Sequence, residues 1–420
     1  MRRLLIPFVL MICPFSAISQ DLLLQDCVRE CLANNPLTAN KELAVKIGEI
    51  KKSIVKSAWL PGLDLNAQAT WQSDVVVLNL DLPFPVNFPQ IPKDQYKITT
   101  DISQLVYDGG NIKYQQVIEG INADLTVKEI EVKEFELRQI VEDLYFAILV
   151  TDKRIEVLKL MNESLNQTIN QVESGVKNGL LADSDLPVVK AERIKMDQQL
   201  ISLQGLKDRA VSTLGLLMGK QLEPDTRFFV PEVLSEQTAT GTRPESQLFE
   251  VQRNLIDARI SMLNSQLRPK VAAFGQAGYG KPGLNFMGDK WDPYLLIGLK
   301  GSWNVWDWGK IKKQKQTLGI SQKVIDNQLD AFQRQLTQAE SKQQIMISEI
   351  EALMNKDIEL LGLREIVTQA YGNRLKSGLI TASQYLNELT REQEARINLE
   401  TRKIEWVSAK FKLLIISGKN

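Results

Sequence analysis

The sequence predicts a mixed α and β membrane protein built from two tandem structural repeats, with four strands per chain and long coiled-coil helices. Three observations predict it. The stretch Val106-Tyr107-Asp108-Gly109-Gly110-Asn111-Ile112-Lys113 recurs as Val305-Trp306-Asp307-Trp308-Gly309-Lys310-Ile311-Lys312, an offset of 305 − 106 = 199. Four segments alternate apolar and polar residues with period two, which makes strands with one apolar face. Between them run charged segments whose apolar residues keep steps of three and four, the spacing of coiled-coil helices.

The duplication extends beyond the recurring stretch. Asn178-Gly179-Leu180-Leu181-Ala182-Asp183-Ser184 aligns with Ser377-Gly378-Leu379-Ile380-Thr381-Ala382-Ser383 at the same offset. Asn35-Pro36 matches Arg243-Pro244, and Leu60-Pro61 matches Arg268-Pro269, at 244 − 36 = 208. The difference, 208 − 199 = 9, is an insertion between Pro61 and Val106 of the first copy. One register with one insertion marks an internal duplication.

Composition narrows the function classes. The 420 residues carry 51 basic and 51 acidic side chains, interspersed, so no nucleic-acid surface is implied. Histidine is absent, which removes the commonest general base and metal ligand. No glycine loop for a nucleotide is present. A hydrolase would have to use Asp64, Asp101, Asp108 or Asp307; the first two lie on a polar strand face, and the last two recur at corners where capping a helix is the simpler role. The expectation is therefore no catalysis, no cofactor and no metal.

In chain order, Met1-Arg2-Arg3, the apolar run Leu4 to Phe15 and Ser16-Ala17-Ile18-Ser19-Gln20 form a secretory signal peptide over residues 1–19. The run is too short to span a bilayer. Cys13 is a poor lipidation site, with Ile12 before it and Pro14 after it. Cys27 and Cys31, four apart on an expected helix, suit buried packing better than a disulfide.

The first repeat, 20–218, is expected as a helix broken at Pro36, a hairpin over 63–107, a long helix over 111–176 and a return helix over 183–218. Leu63, Leu65, Ala67, Ala69 and Trp71 alternate with Asp64, Asn66, Gln68 and Thr70; Ile98, Thr100, Ile102, Gln104 and Val106 alternate with Lys97, Thr99, Asp101 and Ser103. Asp81 to Pro92 holds four prolines and reads as a long loop. Residues 219–243 link the copies. The second repeat, 244–420, repeats the pattern, with a hairpin over 271–306, a long helix over 311–374 and a return helix over 382–416. Trp291, Trp303, Trp306 and Trp308 cluster near its hairpin ends, as aromatic girdles at membrane interfaces do. Each long helix ends at a glycine turn, with Asp183 or Ser383 placed to cap the next helix.

Four strands cannot close a barrel. A sheet in lipid cannot leave an open edge, so the missing strands must come from further copies of the chain: two give eight strands, three twelve, four sixteen.

Signal peptide, duplicated helix-hairpin-helix halves, the Asn35-Pro36 and Arg243-Pro244 openings, Leu60-Pro61-Gly62-Leu63, and the corners with Asp108, Gly110, Asp307 and Gly309 together resemble the TolC family of outer-membrane efflux proteins. The two glycine-leucine turns belong to the same resemblance, which covers nearly the whole mature chain. It implies a homotrimer in the bacterial outer membrane, in which a twelve-stranded β-barrel continues into a long α-helical coiled-coil barrel reaching into the periplasm. The implied function is the exit duct of a tripartite efflux pump or type I secretion system, with a periplasmic adaptor (membrane fusion) protein and an inner-membrane transporter as partners. Asn178, Gly179, Leu180 and Leu181, with Ser377, Gly378, Leu379 and Ile380, fall on the periplasmic tips where an adaptor docks. The family's pore constriction falls near Asp183 and Asp185 in the first copy and at Gln384 and Asn387 in the second, where amides stand in place of acids. The competing reading is a periplasmic coiled-coil structural or adaptor protein without a barrel; it leaves the alternating strands unexplained.

Overall fold

The computed structural model describes residues 22–75, 91–224, 226–232, 243–285 and 288–418. The expected signal peptide, with Cys13, and nearly all of the proline-rich loop lie outside the described residues. The element order is α1 (Leu24–Asn34), α2 (Pro36–Ser57), β1 (Gly62–Trp71), β2 (Asp94–Tyr107), α3 (Asn111–Lys177), α4 (Asp185–Met218), α5 (Pro244–Ser265), β3 (Lys270–Lys281), β4 (Asp292–Ser302), α6 (Lys310–Lys376) and α7 (Ala382–Ile416). From α2 onward the second copy repeats the first, α2-β1-β2-α3-α4 recurring as α5-β3-β4-α6-α7, while α1 has no counterpart among the described residues. Helices α2 and α5 both have 22 residues and begin at proline, 244 − 36 = 208 apart. Helices α3 and α6 both have 67, starting 310 − 111 = 199 apart.

The repeats are not the compact bodies. One unit takes the chain up to Thr38, Val132–Arg243 and Gln333 onward; the other takes Ala39–Glu131 and Pro244–Phe332. Each draws on both copies: α4 of the first packs against α7 of the second in one unit, and β2 of the first pairs with β3 of the second in the other.

The second unit holds the sheet, ordered β1-β2-β3-β4 and antiparallel throughout. Its central pairing joins the repeats, with Ile102 opposite Gly275 and Thr100 opposite Ala277. Leu63, Leu65, Ile98, Ile102, Tyr279, Leu295, Ile297 and Leu299 share one face, and all are exposed. On the opposite face Asp101 accepts hydrogen bonds from Asn66, Thr99 and Gln276, tying three strands together. Two glycines there make room for rings: a Cβ on Gly278 would lie 2.2 Å from Tyr294, and one on Gly298 would lie 2.7 Å from Phe274. Trp291 stacks on Tyr96 and Tyr279 at one end of the sheet, with centroids 5.9 and 5.2 Å away. Trp303, Trp306 and Trp308 lie exposed at the other end.

The second hairpin departs from its expected extent of 271–306. Strand β4 ends at Ser302, which pairs with Lys270, the first residue of β3. Beyond that pair no strand remains to accept Trp303 to Trp306, and Trp303 Nε1 donates instead to the Leu267 carbonyl, 3.0 Å away. In the first copy β2 runs on to Tyr107 because Val271 lies opposite it.

The helices of this unit continue the strand order. Gly48 of α2 meets Ala123 of α3 closely; Ile118 of α3 packs with Leu255 and Ala258 of α5; Phe249 of α5 meets Phe332 of α6 at 5.9 Å. Helix α2 shows an opposite, exposed flank of Leu43, Ile47, Ile50 and Ile54, spaced by four, three and four residues.

The other unit is helical and has two cores. Cys27, Cys31, Val141, Tyr145, Ile148, Leu214 and Met218 form one. Both cysteines are free and wholly buried, and burial pushes their thiols up to about 12 and about 11. The Tyr145 hydroxyl lies 2.9 Å from the Leu22 carbonyl and 2.8 Å from that of Phe229, fastening the start of the described chain to the inter-repeat segment. Val172, Val189, Leu375, Tyr385, Leu386 and Leu389 belong to the second core, beneath the glycine turns. Gln343 and Thr368 of α6 are buried and donate to the Ala409 and Glu388 carbonyls of α7, so even the polar positions of the stripe are satisfied across the helix pair.

Candidate functional site

The two glycine turns close their helices in the same way. Gly179 and Gly378 have φ of 71° and 68°, a left-handed conformation that glycine adopts without a Cβ clash. Leu180 N donates to Gly175 O at 2.8 Å and Gly179 N to Val176 O at 3.0 Å; Leu379 N and Gly378 N make the equivalent bonds to Arg374 O and Leu375 O at 3.0 Å each. These are Schellman closures, which satisfy carbonyls that a helix end leaves unpaired. Leu181 and Ile380 turn inward onto the core, while Leu180 and Leu379 stand exposed together with Asn178 and Ser377.

The turns touch each other, and they are not equivalent. A Cβ on Gly378 would lie 2.7 Å from the Leu180 carbonyl oxygen, whereas one on Gly179 meets nothing within 4 Å. Asp185 makes the second link: its Oδ1 accepts from Ala382 N at 2.9 Å and its Oδ2 from Ala182 N at 3.2 Å.

The helix starts beyond the turns differ from the expected capping. Neither Asp183 nor Ser383 caps a helix. Helix α7 is capped by Thr381, whose Oγ1 accepts from Gln384 N while Gln384 Oε1 accepts from Thr381 N, a reciprocal capping box. Helix α4 has no side-chain cap at Ser184. The placement of Asp185 in a pore constriction is also corrected: it is 6% exposed, and both its oxygens are spent on backbone N–H groups. The Gln384 carbonyl is likewise committed to the cap. Asp183 and Asn387 are exposed.

At the two corners an aspartate turns the strand into the helix. Asp108 accepts from Gly110 N at 2.8 Å and Ile112 N at 2.5 Å; Asp307 accepts from Gly309 N at 2.9 Å and Ile311 N at 2.8 Å. The Ile311 N–H, followed by desolvation that opposes it and by the Gly309 N–H, leaves the Asp307 carboxyl below the usual carboxylate range. The residue after each aspartate has positive φ, 74° at Gly109 and 56° at Trp308. Only the first must be glycine for space, since a Cβ there would meet Ser265 O at 2.7 Å. Trp308 sits beside the open edge of the sheet, exposed, with the Trp306 ring edge-on at 5.9 Å.

Residues 27–220 match the model of the outer membrane efflux protein family. The match spans the first repeat, and over that stretch the chain is similar to the family. The solved structure of the outer membrane protein VceC of Vibrio cholerae superposes with a TM-score of 0.71 at 16% identity, over 94% of this chain and 96% of that one. CusC, described for its transmembrane channel formation, gives 0.75 at 14% identity, over 95% and 93%. The open-state MtrE outer membrane channel of Neisseria gonorrhoeae gives 0.70 at 14%, over 94% and 89%. No curated protein sequence matches significantly.

The fold is that of these trimeric channels: a β-barrel plus an α-helical barrel. Among the described residues no helix is long and apolar enough to cross a membrane, and no cluster of His, Cys, Asp and Glu converges as a metal site. Sequence reasoning missed Glu388, which is nearly buried and held by Arg364 at 3.1 Å and Arg391 at 2.7 Å. The Arg391 spacing of three was legible in the sequence; the Arg364 partner, on another helix, was not. It also missed Glu142, whose Oε2 is buried without a partner. Burial pushes that carboxyl up to about 7, although Arg138 lies 3.0 Å from the other oxygen.

Proposed function

We propose that the chain is the outer-membrane exit duct of a tripartite efflux pump, three copies closing one twelve-stranded barrel. The observation that carries this reading is the exposed apolar face of the four-stranded sheet, with Leu65, Ile297 and Leu299 each about three-quarters exposed. In water that surface would aggregate; in lipid it is the expected wall. Strand β4, 11 residues long, covers about 35 Å at ~3.3 Å per residue, and about 25 Å of bilayer when tilted by roughly 45°. Strands β1 and β4 are open edges, which lipid does not tolerate, so neighbouring copies supply their partners. The flank Leu43, Ile47, Ile50 and Ile54, on the helix leading to edge strand β1, offers those copies a coiled-coil seam.

Conduction in this reading is passive. Substrate enters at the periplasmic tips from an adaptor and an inner-membrane transporter, passes through the helical barrel and leaves through the strand barrel. The adaptor is proposed to dock on Asn178 to Leu181 and Ser377 to Ile380, where Leu180 and Leu379 put two exposed leucines per chain, six per trimer, on the tip. Asp183 and Asn387 remain the candidates for a constriction. This reading gives the chain no catalytic step, and the partner supplies the energy.

The test is the native mass of protein extracted in detergent from an outer-membrane fraction, followed by conductance in a planar bilayer. A trimer that forms ion-conducting pores supports the duct. A salt-extractable monomer or dimer without conductance overturns it in favour of a periplasmic coiled-coil protein.

A further inference from the structure

We propose that the polar face of the sheet, where β3 and β4 meet the strand-to-helix corners, binds a polyvalent oxyanion of the phosphate type. A cavity of about 530 Å³ opens there, lined by Arg268, Lys270 and Lys310 together with Asn111, Gln266 and Asn304. Lys270 has the strand parity of Ala272, Phe274 and Gln276, and Gln276 donates to Asp101 on the polar face. The cavity therefore belongs to that face and not to the apolar wall.

The positive charge in this cavity exceeds the negative, with three cations facing one lining carboxylate. Ion pairs of the unit join Lys46, Lys51, Lys128, Arg253 and Lys281 to carboxylates; Arg268, Lys270 and Lys310 are in none among the described residues. The carboxylate in the lining, Asp307, spends both oxygens on the N–H groups of Gly309 and Ile311, with Lys310 adding to the field that holds it ionised. Asp108, the corner carboxylate of the first copy, likewise spends both oxygens on N–H groups, those of Gly110 and Ile112, and Asp101 pairs with Gln276, six residues from Lys270 and so about 20 Å along the strand. Lys300, opposite Ala272, adds a fourth cation to the same face.

Three cations against one lining carboxylate whose oxygens are already bonded to backbone N–H groups, rimmed by side-chain amides, suit an anion with several oxygens and more than one charge. Arg268 gives one N–H to the Gly109 carbonyl at 3.2 Å, which fixes its planar head and leaves further donors free. A single carboxylate would satisfy only part of this set. The same chemistry is found in a soluble phosphate-bearing solute and in the headgroup of an anionic phospholipid.

This inference rests on the duct reading only for the statement that the polar face lines a lumen; its binding test does not depend on conduction. Inorganic pyrophosphate is titrated calorimetrically into the detergent-solubilised full chain, and thermal stability is measured in bicelles with and without phosphatidylglycerol. The same measurements are made on Lys270→Gln and on the double variant Lys270→Gln/Lys310→Gln, which alter exposed side chains outside every core. Saturable pyrophosphate binding that weakens about tenfold for each cation removed assigns the site to a free solute. A phosphatidylglycerol-dependent rise in Tm that the double variant loses assigns it to a lipid headgroup. Absence of both effects in the wild-type chain, or identical effects in the variants, overturns the proposal.

Discussion

Asp185 Oδ1 accepts a hydrogen bond from Ala382 N at 2.9 Å, so a side chain of the first repeat caps the last helix of the second, 197 residues away. With Gly378 packed against the Leu180 carbonyl, it joins the two glycine turns of one chain into a single tip. An adaptor docking as proposed would meet a preassembled pair of turns on each copy.

Asp185→Ala should leave two N–H groups, one of them buried, without partners and cost about 1–3 kcal/mol. The expected result is a lower Tm for the solubilised trimer, with Asp185→Asn intermediate because one amide oxygen still accepts. If Asp185 lined the pore instead, the Asn variant would shift ion selectivity and leave Tm alone.

The two tip glycines should respond unequally to alanine. Gly179→Ala incurs the left-handed backbone cost alone, about 1–2 kcal/mol. Gly378→Ala adds a contact at 2.7 Å with a carbonyl oxygen that cannot swing aside as a flexible side chain could. Limited proteolysis at the tip should therefore accelerate more in the second variant, and efflux of a pump substrate should fall further. Equal behaviour of the two would contradict the asymmetric packing.

Glu142 makes stability depend on pH in a stated direction. Its folded value of about 7 lies above the ordinary glutamate value of 4.5, so between these the folded chain keeps a proton that the unfolded chain releases. This group's contribution is fully favourable below about pH 4.5, declines as pH rises to about 7, and is flat above. Glu142→Gln should remove that slope and stabilise the protein at pH 8 by on the order of 2 kcal/mol, as denaturation of wild type and variant across pH 5 to 8 would record.

Adjacent residues of β2 separate the two faces of the sheet. Ile102→Arg puts a charge on the apolar wall and should cost about 2–4 kcal/mol near the bilayer midplane. Ser103→Arg faces the polar side and should be tolerated. The readout is the yield of assembled trimer in the outer-membrane fraction; similar yields for both variants would count against a lipid-facing wall.

Much of this molecule follows from local pattern. Period-two alternation assigns Leu63, Leu65, Ile98 and Ile102 to one face because successive strand side chains point to opposite sides whatever the strand pairs with. The Asp-x-Gly corners were legible because the acceptor and its N–H donors lie within four residues, at Asp108 with Ile112 and at Asp307 with Ile311. The recurrence of the corner and the glycine turn exposed the duplication without any reference to folding.

The repeats, the strand faces, the corner chemistry and the long helices are local matters, each set by residues a few positions apart. Tertiary structure alone decided the rest. Thr381 rather than Ser383 caps α7, and Asp185 sits under the tip rather than in a pore, because the Ala382 N–H lies beside it. Strand β4 stops at Ser302 because β3 begins at Lys270 and offers nothing beyond it. Glu142 holds its proton because other helices cover it. Burial, pairing partners and strand ends depend on what packs alongside, and in a chain whose compact units each draw on both repeats, the neighbour is often some 200 residues away.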